Sequence, residues 1–196
     1  DGMAAVKRGG KWGFINSQGE TRVPFGFEEA LSFSDGWACV RKGGRWGFIK
    51  RDGTFAVEPQ YEDACSYRDG RAAVKTSGKW GFLDSSGKLG IPAQFDDVWS
   101  FQNGYAAVCV NGKWGFCSQS GKLSIEPKFE DALPFKQGRA PVKLGGKWGY
   151  IKSNGKFAIE PRFDFAWMFS ELSGVKENGV WDFIRHNGES VLYRKK

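Results

Sequence analysis

The stretch Cys109-Val110-Asn111-Gly112-Lys113-Trp114-Gly115-Phe116 decides the fold. Asn-Gly between two alternating segments is the strongest short signal of a two-residue hairpin turn, and it sets Cys109 opposite Trp114 and Val110 opposite Lys113. The block after this turn recurs along the chain. Lys11 to Ile15, Arg45 to Ile49, Lys79 to Leu83 and Lys147 to Ile151 repeat it, and Val180, Trp181, Asp182, Phe183 and Ile184 are a drifted version. Its tryptophans, Trp12, Trp46, Trp80, Trp114, Trp148 and Trp181, stand 34 residues apart, with a last step of 33. A fixed period of about 20 to 50 residues marks a propeller, solenoid or array, and makes each recurring residue a building part before it is a site.

Working outward, each copy begins with Gly, a variable residue, Ala and Val, as in Gly70 to Val74 and Gly104 to Val108. Period-2 alternation there, and Trp and Phe two apart after the turn, give two strands. Gly19, Gly53, Gly87, Gly121, Gly155 and Gly188 mark a second turn, and the β-branched or Leu positions after it (Val23, Val57, Ile91, Ile125, Ile159, Leu192) mark a third strand. The Gly between Trp and Phe admits a close backbone approach or a bulge. Next come Pro, an aromatic and an acidic pair, as in Pro127, Phe129, Glu130 and Asp131. Pro has no N–H to donate, so it ends the third strand or places it on an edge. The stretch from Phe95 to Phe101 then reads as a short fourth strand or a packed connector.

Composition agrees with an all-β chain. The 196 residues are 40% hydrophobic and 16% aromatic, with 28 Gly and only 7 Pro, which suits many short strands joined by tight turns. A three-stranded unit of this length cannot offset its own conformational entropy, so neighbouring copies must pack together. The six tryptophans are expected to be the structural core of that packing, meeting across adjoining copies. No linker separates copies, so residues 1–196 read as one repeat domain whose sixth copy is a terminal cap. The constant period and the count of six favour a propeller-like closed ring, with an open β-solenoid as the alternative.

The Lys-Trp-Gly-Phe-Ile block, the Gly-Lys turn, the Ile-Pro or Ile-Glu-Pro step and the Phe-Asp-Asp-Ala segment together resemble the WG (KWG) repeat family, found in bacterial proteins. The resemblance covers essentially the whole chain. It departs in the sixth copy, where Val180 precedes Trp181 and Asp182 follows it. What it implies is a β-repeat binding module with no catalytic motif to carry over.

The remaining chemistry points away from an enzyme. Cys39, Cys65, Cys109 and Cys117 fall in four different repeat columns, and no pair has zinc-site or disulfide-framework spacing. With a single histidine, His186, in a turn, no Cys-His or Ser-His pair is expected. Adjacent acids such as Asp96 and Asp97 point to opposite faces of a strand. No cofactor and no metal are therefore expected. Unpaired thiols and the lack of a signal-peptide pattern lean toward a cytoplasmic, reducing compartment, with export left open. No apolar run reaches the roughly 20 residues that span a bilayer.

The net charge is +7, yet most charges recur by column. Lys7, Arg41, Lys75, Lys143 and Lys176 precede Trp by five residues, and acidic pairs such as Glu28 and Glu29 recur as well. These read as solvated faces or ion pairs between copies. Nucleic acid is a lesser candidate partner, because no recognised binding motif accompanies the charge.

Binding residues are sought where the pattern breaks. One column holds Met3, Trp37, Arg71, Tyr105 and Arg139, and another holds Leu31, Cys65, Trp99, Leu133 and Trp167. Trp, Tyr and Arg are enriched in binding hot spots. Trp37, Arg71, Tyr105 and Arg139 are expected to line a strip that takes a protein or a glycan. Trp99 and Trp167 either join it or fill core positions that other copies give to Leu. The reading is a non-enzymatic scaffold for protein–protein contact, with a carbohydrate or cell-envelope binding module as the alternative.

Overall fold

A computed structural model describes residues 2–192 of the chain. Among them there is no helix, and hence none long and apolar enough to cross a membrane. The strands form six antiparallel sheets, shared between two compact units, Asp1–Phe95 and Asp96–Lys196. In the first unit, β1 (Met3–Arg8), β2 (Lys11–Asn16) and β3 (Thr21–Phe27) make sheet one. β4 (Glu29–Ala30), β5 (Ala38–Lys42), β6 (Arg45–Ile49) and β7 (Phe55–Tyr61) make sheet two, and β8 (Asp63–Ala64), β9 (Ala72–Thr76), β10 (Lys79–Leu83) and β11 (Leu89–Phe95) make sheet three.

In the second unit, β12 (Asp97–Val98), β13 (Tyr105–Val110), β14 (Lys113–Ser118) and β15 (Leu123–Phe129) make sheet four. β16 (Asp131–Ala132), β17 (Ala140–Leu144), β18 (Lys147–Ile151) and β19 (Phe157–Phe163) make sheet five, and β20 (Phe165–Ala166), β21 (Ser173–Glu177) and β22 (Val180–Ile184) make sheet six. The choice between strand and connector after the aromatic is thereby resolved. The segment is a two-residue strand that pairs into the following sheet, Glu29 opposite Arg41 and Asp131 opposite Lys143. Sheets are thus offset from the Trp-to-Trp sequence repeat.

The first hairpin has the register that Asn-Gly requires, Cys109 opposite Trp114 and Val110 opposite Lys113. Asn111 and Gly112 sit at φ +52° and +71°, the left-handed pair of a type I′ turn. The first acidic residue of this segment accepts a backbone N–H of the turn. Glu28 accepts the Gly43 N–H at 3.0 Å, Asp96 the Asn111 N–H at 2.6 Å and Asp164 the Gly179 N–H at 2.9 Å. These carboxylates are therefore turn caps rather than simply solvated charges. Of the second members, Glu29 meets Arg41 at 2.7 Å, an exposed pair worth about 0–1 kcal/mol.

The Gly after Trp is explained by the third long strand. Trp114 pairs with Phe129 while Phe116 pairs with Ile125, so β15 bulges between these pairs and its backbone crosses Gly115. A Cβ on Gly115 would lie 2.5 Å from the Ile125 carbonyl oxygen and 2.7 Å from the Pro127 nitrogen. Pro127 does not end the strand, as one reading of the sequence had it. It sits inside β15, an edge strand, where its missing N–H faces no ladder partner. Among the described residues, sheet six has no such third long strand. Asp182 there replaces Gly, and its Oδ1 accepts the Phe183 N–H at 2.6 Å and the Leu192 N–H at 3.3 Å.

Alternation sends the two faces of each middle sheet to different neighbours. Ala38, Val40 and Ile49 of sheet two pack on Phe14, Val23 and Phe27 of sheet one. Cys39, Trp46, Phe48 and Val57 pack on Ala64, Tyr67, Ala72, Val74 and Leu83 of sheet three. In the second unit, Phe116, Ile125 and Phe129 meet Ala140, Val142 and Ile151, while Trp148, Tyr150, Ile159 and Phe163 meet Ala166, Phe169, Val175 and Ile184. The deepest residue of the repeated block is the aromatic two places after Trp. Phe14, Phe48, Phe82, Phe116 and Tyr150 are 0% exposed, and burying each contributes about 1.5–3 kcal/mol.

The tryptophans lie nearer the rim. Trp46, Trp80 and Trp148 are buried, at 8%, 9% and 5% exposure, and Trp12 and Trp114 are half-buried. Trp181 corrects the expectation of a six-residue indole core, since it is 53% exposed. The other five each lie opposite an aromatic of the third long strand, such as Phe27, Tyr61 or Phe129, and sheet six has none. The recurrent cation five residues before Trp is its cross-strand partner. The Lys7, Lys75 and Lys176 ammoniums sit 5.9, 5.9 and 6.0 Å from the Trp12, Trp80 and Trp181 rings, within cation–π reach.

Candidate binding surface

Sheets two to five each carry a residue of both pattern-breaking columns beside the pairing of the short strand with the first long strand. Residues of the first precede the first long strand and close a small loop, with Trp37 bridged to Ser34, Arg71 to Arg68, Tyr105 to Gln102 and Arg139 to Lys136. Residues of the second follow the two-residue strand. Their N–H groups hold the same ladder, Leu31 to the Cys39 carbonyl at 2.9 Å and Trp99 to the Ala107 carbonyl at 2.9 Å. Backbone geometry is thus constant while side-chain identity varies, which is how a repeat surface acquires specificity.

In the first unit, Trp37 is half-buried. Its ring makes an edge contact with Tyr67 at 5.1 Å and a tilted one with Phe48 at 6.4 Å. It is a packing residue with one free side. Arg71 lies against Gly90. Asp84 is held below the usual carboxylate range, chiefly by the Ser86 hydroxyl and with a contribution from the Arg71 charge. Leu31 is 38% exposed.

In the second unit, Tyr105 is half-buried with its ring 5.2 Å from Phe135. Arg139 donates from Nη1 to the Gly138 carbonyl at 3.1 Å, and its Nε is buried without a hydrogen-bond partner. The two large members of the second column differ from core fillers: Trp99 is 44% and Trp167 53% exposed. Their backbones are nonetheless fixed. The Trp167 carbonyl accepts the Tyr150 hydroxyl at 3.0 Å and the Ser173 hydroxyl at 2.7 Å.

Sequence reasoning missed a partner of Trp167. Phe165 stands 4.9 Å from the Trp167 ring, 6.0 Å from Trp181 and 6.0 Å from Trp148, so four aromatics gather at one place. A signal was present: this column holds Glu29, Asp63, Asp97 and Asp131 in other copies, and an aromatic there breaks the acidic pattern. His186 stacks on Phe169, with centroids 4.3 Å apart, and approaches Gln137 Oε1 at 3.2 Å. Burial pushes the Cys39 thiol well above its ordinary range. What these surfaces offer is apolar aromatic area and guanidinium donors, which are recognition elements.

The model of a family described as WG containing repeat matches residues 12–46, 46–80, 80–114, 114–148 and 148–181. Each match runs from one Trp to the next, and the drifted sixth copy falls beyond the last. Comparison with curated proteins gives no match. Among solved structures the chain is similar to a crystal structure of the eukaryotic initiation factor, with a TM-score of 0.63 and 13% identity over 97% of this chain and 62% of that one. It is similar as well to Kluyveromyces lactis Hsv2p, with a TM-score of 0.57 and 10% identity over 94% of this chain and 71% of that one. A third is dihydro-heme d1 dehydrogenase NirN in complex with DHE, with a TM-score of 0.54 and 13% identity over 96% and 52%. The chain spans 61% of the length of another Kluyveromyces lactis Hsv2 structure. At these identities the likeness is one of fold, a propeller-like series of antiparallel sheets.

Proposed function

The chain belongs to the WG-repeat family, and from that premise we propose that it is a non-catalytic scaffold that binds protein partners through its variable columns. The observation that carries this reading is the exposure of Trp99 and Trp167, 44% and 53%, on backbones held by regular hydrogen bonds. A rigidly mounted, solvent-facing indole loses little entropy on contact and buries about 150–250 Å², the profile of an interface anchor. Tyr105 and Arg139 supply further aromatic and guanidinium contacts in the second unit, and Trp37 and Arg71 offer the same chemistry on the first. The net charge of +7 favours encounter with acidic partner surfaces.

A Trp99→Ala variant tests this. Its side chain adds little to the core, so the melting temperature stays near that of the wild type. Partners captured by pulldown are expected to bind about thirtyfold more weakly, the loss of roughly 2 kcal/mol at a hot spot. Unchanged capture by a Trp99→Ala, Trp167→Ala double variant would remove the reading. Exposed indoles also suit stacking on sugar rings, which keeps a carbohydrate-binding module as the second reading. A glycan array that lights up in a Trp99-dependent way, beside a pulldown with no Trp99-dependent protein, would select it.

A further inference from the structure

We propose that the loop end of sheets four and five is a docking surface for an acidic, extended segment of a protein partner. The proposal rests on reading the chain as a binding scaffold, and names the partner's chemistry and a second place for it. At this end the loops of residues 99–105 and 133–139 lead into the first long strands, and the turns of residues 118–122 and 152–156 lead out of the second. Tyr105 pairs with Ser118 and Ala140 with Ile151, which sets loop and turn side by side. Asn103 Nδ2 donates to the Phe135 carbonyl at 2.9 Å, and the Tyr105 and Phe135 rings are 5.2 Å apart, so the two loops adjoin.

The charges at this end have one sign. The four stretches hold Lys122, Lys136, Arg139, Lys152 and Lys156 and no carboxylate. Lys122, Lys152 and Lys156 are exposed, Lys136 and Arg139 half-buried, and among the described residues none of them forms an ion pair. The acidic segments of the same sheets sit at the other end, where Asp96 and Glu130 accept the Asn111 and Gly146 N–H groups at 2.6 and 3.0 Å.

Turn construction does not require this polarity. The same columns in sheets two and three carry Asp35, Asp52, Asp69 and Asp84 beside their cations. Asp52 caps its turn by accepting the Thr54 N–H at 2.9 Å, and Asn154 caps the equivalent turn by accepting the Lys156 N–H at 3.0 Å. Asn103 and Gln137 replace Asp35 and Asp69 and still reach the next sheet. Asp35 accepts the Gly70 N–H at 3.0 Å, Asn103 meets Phe135, and Gln137 Oε1 meets His186 Nε2 at 3.2 Å. Geometry is kept while the negative charge is removed, which leaves a local positive field that concentrates anions. The turns beside these cations hold Gln119, Ser120, Ser153 and Asn154, with no ring on which a base could stack. Their amides and hydroxyls, with the cations, are the donors a carboxylate takes.

Fluorescence anisotropy of a labelled octaglutamate peptide titrated with the full chain tests this. Binding is expected at about 10 mM ionic strength and should weaken at least about tenfold at about 150 mM, as the screening length shrinks from about 30 to about 8 Å. Gln137→Glu with Asn154→Asp restores the carboxylates and keeps the caps, so the melting temperature should hold while the peptide binds about tenfold more weakly. Lys11→Glu with Lys42→Glu removes more positive charge, from the opposite end of sheets one and two, and should cost about twofold or less. Equal losses in the two variants would mean that total charge alone is read, and would overturn the proposal. So would no binding at about 1 mM chain, or tighter binding of a single-stranded oligothymidylate of equal charge. Octaglutamate offers Trp99 nothing apolar, so Trp99→Ala should leave this readout unchanged while it weakens capture by pulldown, and either reading can fail without the other.

Discussion

At position 77 a serine adopts a left-handed backbone, φ +51°, that the equivalent turns give to Gly9, Gly43, Asn111, Gly145 and Asn178. Glycine has no Cβ to clash there, and Asn tolerates the region better than Ser does. The neighbouring Gly78 N–H is held by Glu62 at 3.0 Å. Ser77→Asn is therefore expected to stabilise the protein by about 0.5–1 kcal/mol in urea unfolding, and a destabilised variant would count against a strained turn. The turn itself was legible because Asn111-Gly112 names its own geometry. The exposure of Trp99, Trp167 and Trp181 was not. A one-dimensional pattern assigns a residue to a face, but whether that face is covered depends on which sheet follows it.

A single strand explains most of what the repeated block enforces. Wherever a third long strand crosses, Trp finds an aromatic partner, the next residue must be Gly, and Pro sits harmlessly on the sheet edge. Where that strand is missing, Trp181 is uncovered and Asp182 is accommodated. Gly115→Ala should cost about 1–3 kcal/mol, because the Ile125 carbonyl and the Pro127 nitrogen are backbone atoms that move only with the strand. Asp182→Ala should stay within about 1 kcal/mol, and equal losses at the two sites, read by thermal unfolding, would contradict this account. The period-2 stretches and the two turns foretold all three long strands and their order in the sheet. The Gly after Trp signalled a close backbone approach or a bulge but not that the extra residues lie on the facing strand, and the acidic segment was left open, since two residues are too few to show a period.

For the molecule as a whole, the buried titratable groups set the pH at which stability fails. Burial raises the Cys39 thiol and the Tyr67 and Tyr150 phenols well above their ordinary values, and all three are at most 2% exposed. In the unfolded chain they ionise at about 8.5 and about 10, while the folded chain keeps the protons. Above about pH 8.5 the unfolded state therefore holds fewer protons, and stability falls as pH rises. The slope approaches about 1.4 kcal/mol per pH unit for each such group. The melting temperature should drop steadily between about pH 8.5 and 11, with Cys39→Ala removing the earliest part of the fall. A flat profile would contradict this burial. On the acid side Thr54, Ser86 and Lys147 hold Asp52, Asp84 and Asp164 low, so that stability is present at neutral pH and is lost on acidification.

Because each acidic segment pairs into the sheet that follows it, the module that evolution copied and the module that folds are out of phase. A shortened array trimmed at a tryptophan would carry a severed sheet at its end. Trimming between Phe27 and Glu28, Tyr61 and Glu62, or Phe129 and Glu130 leaves every remaining sheet whole, which makes these peptide bonds the natural joints for splicing modules in or out.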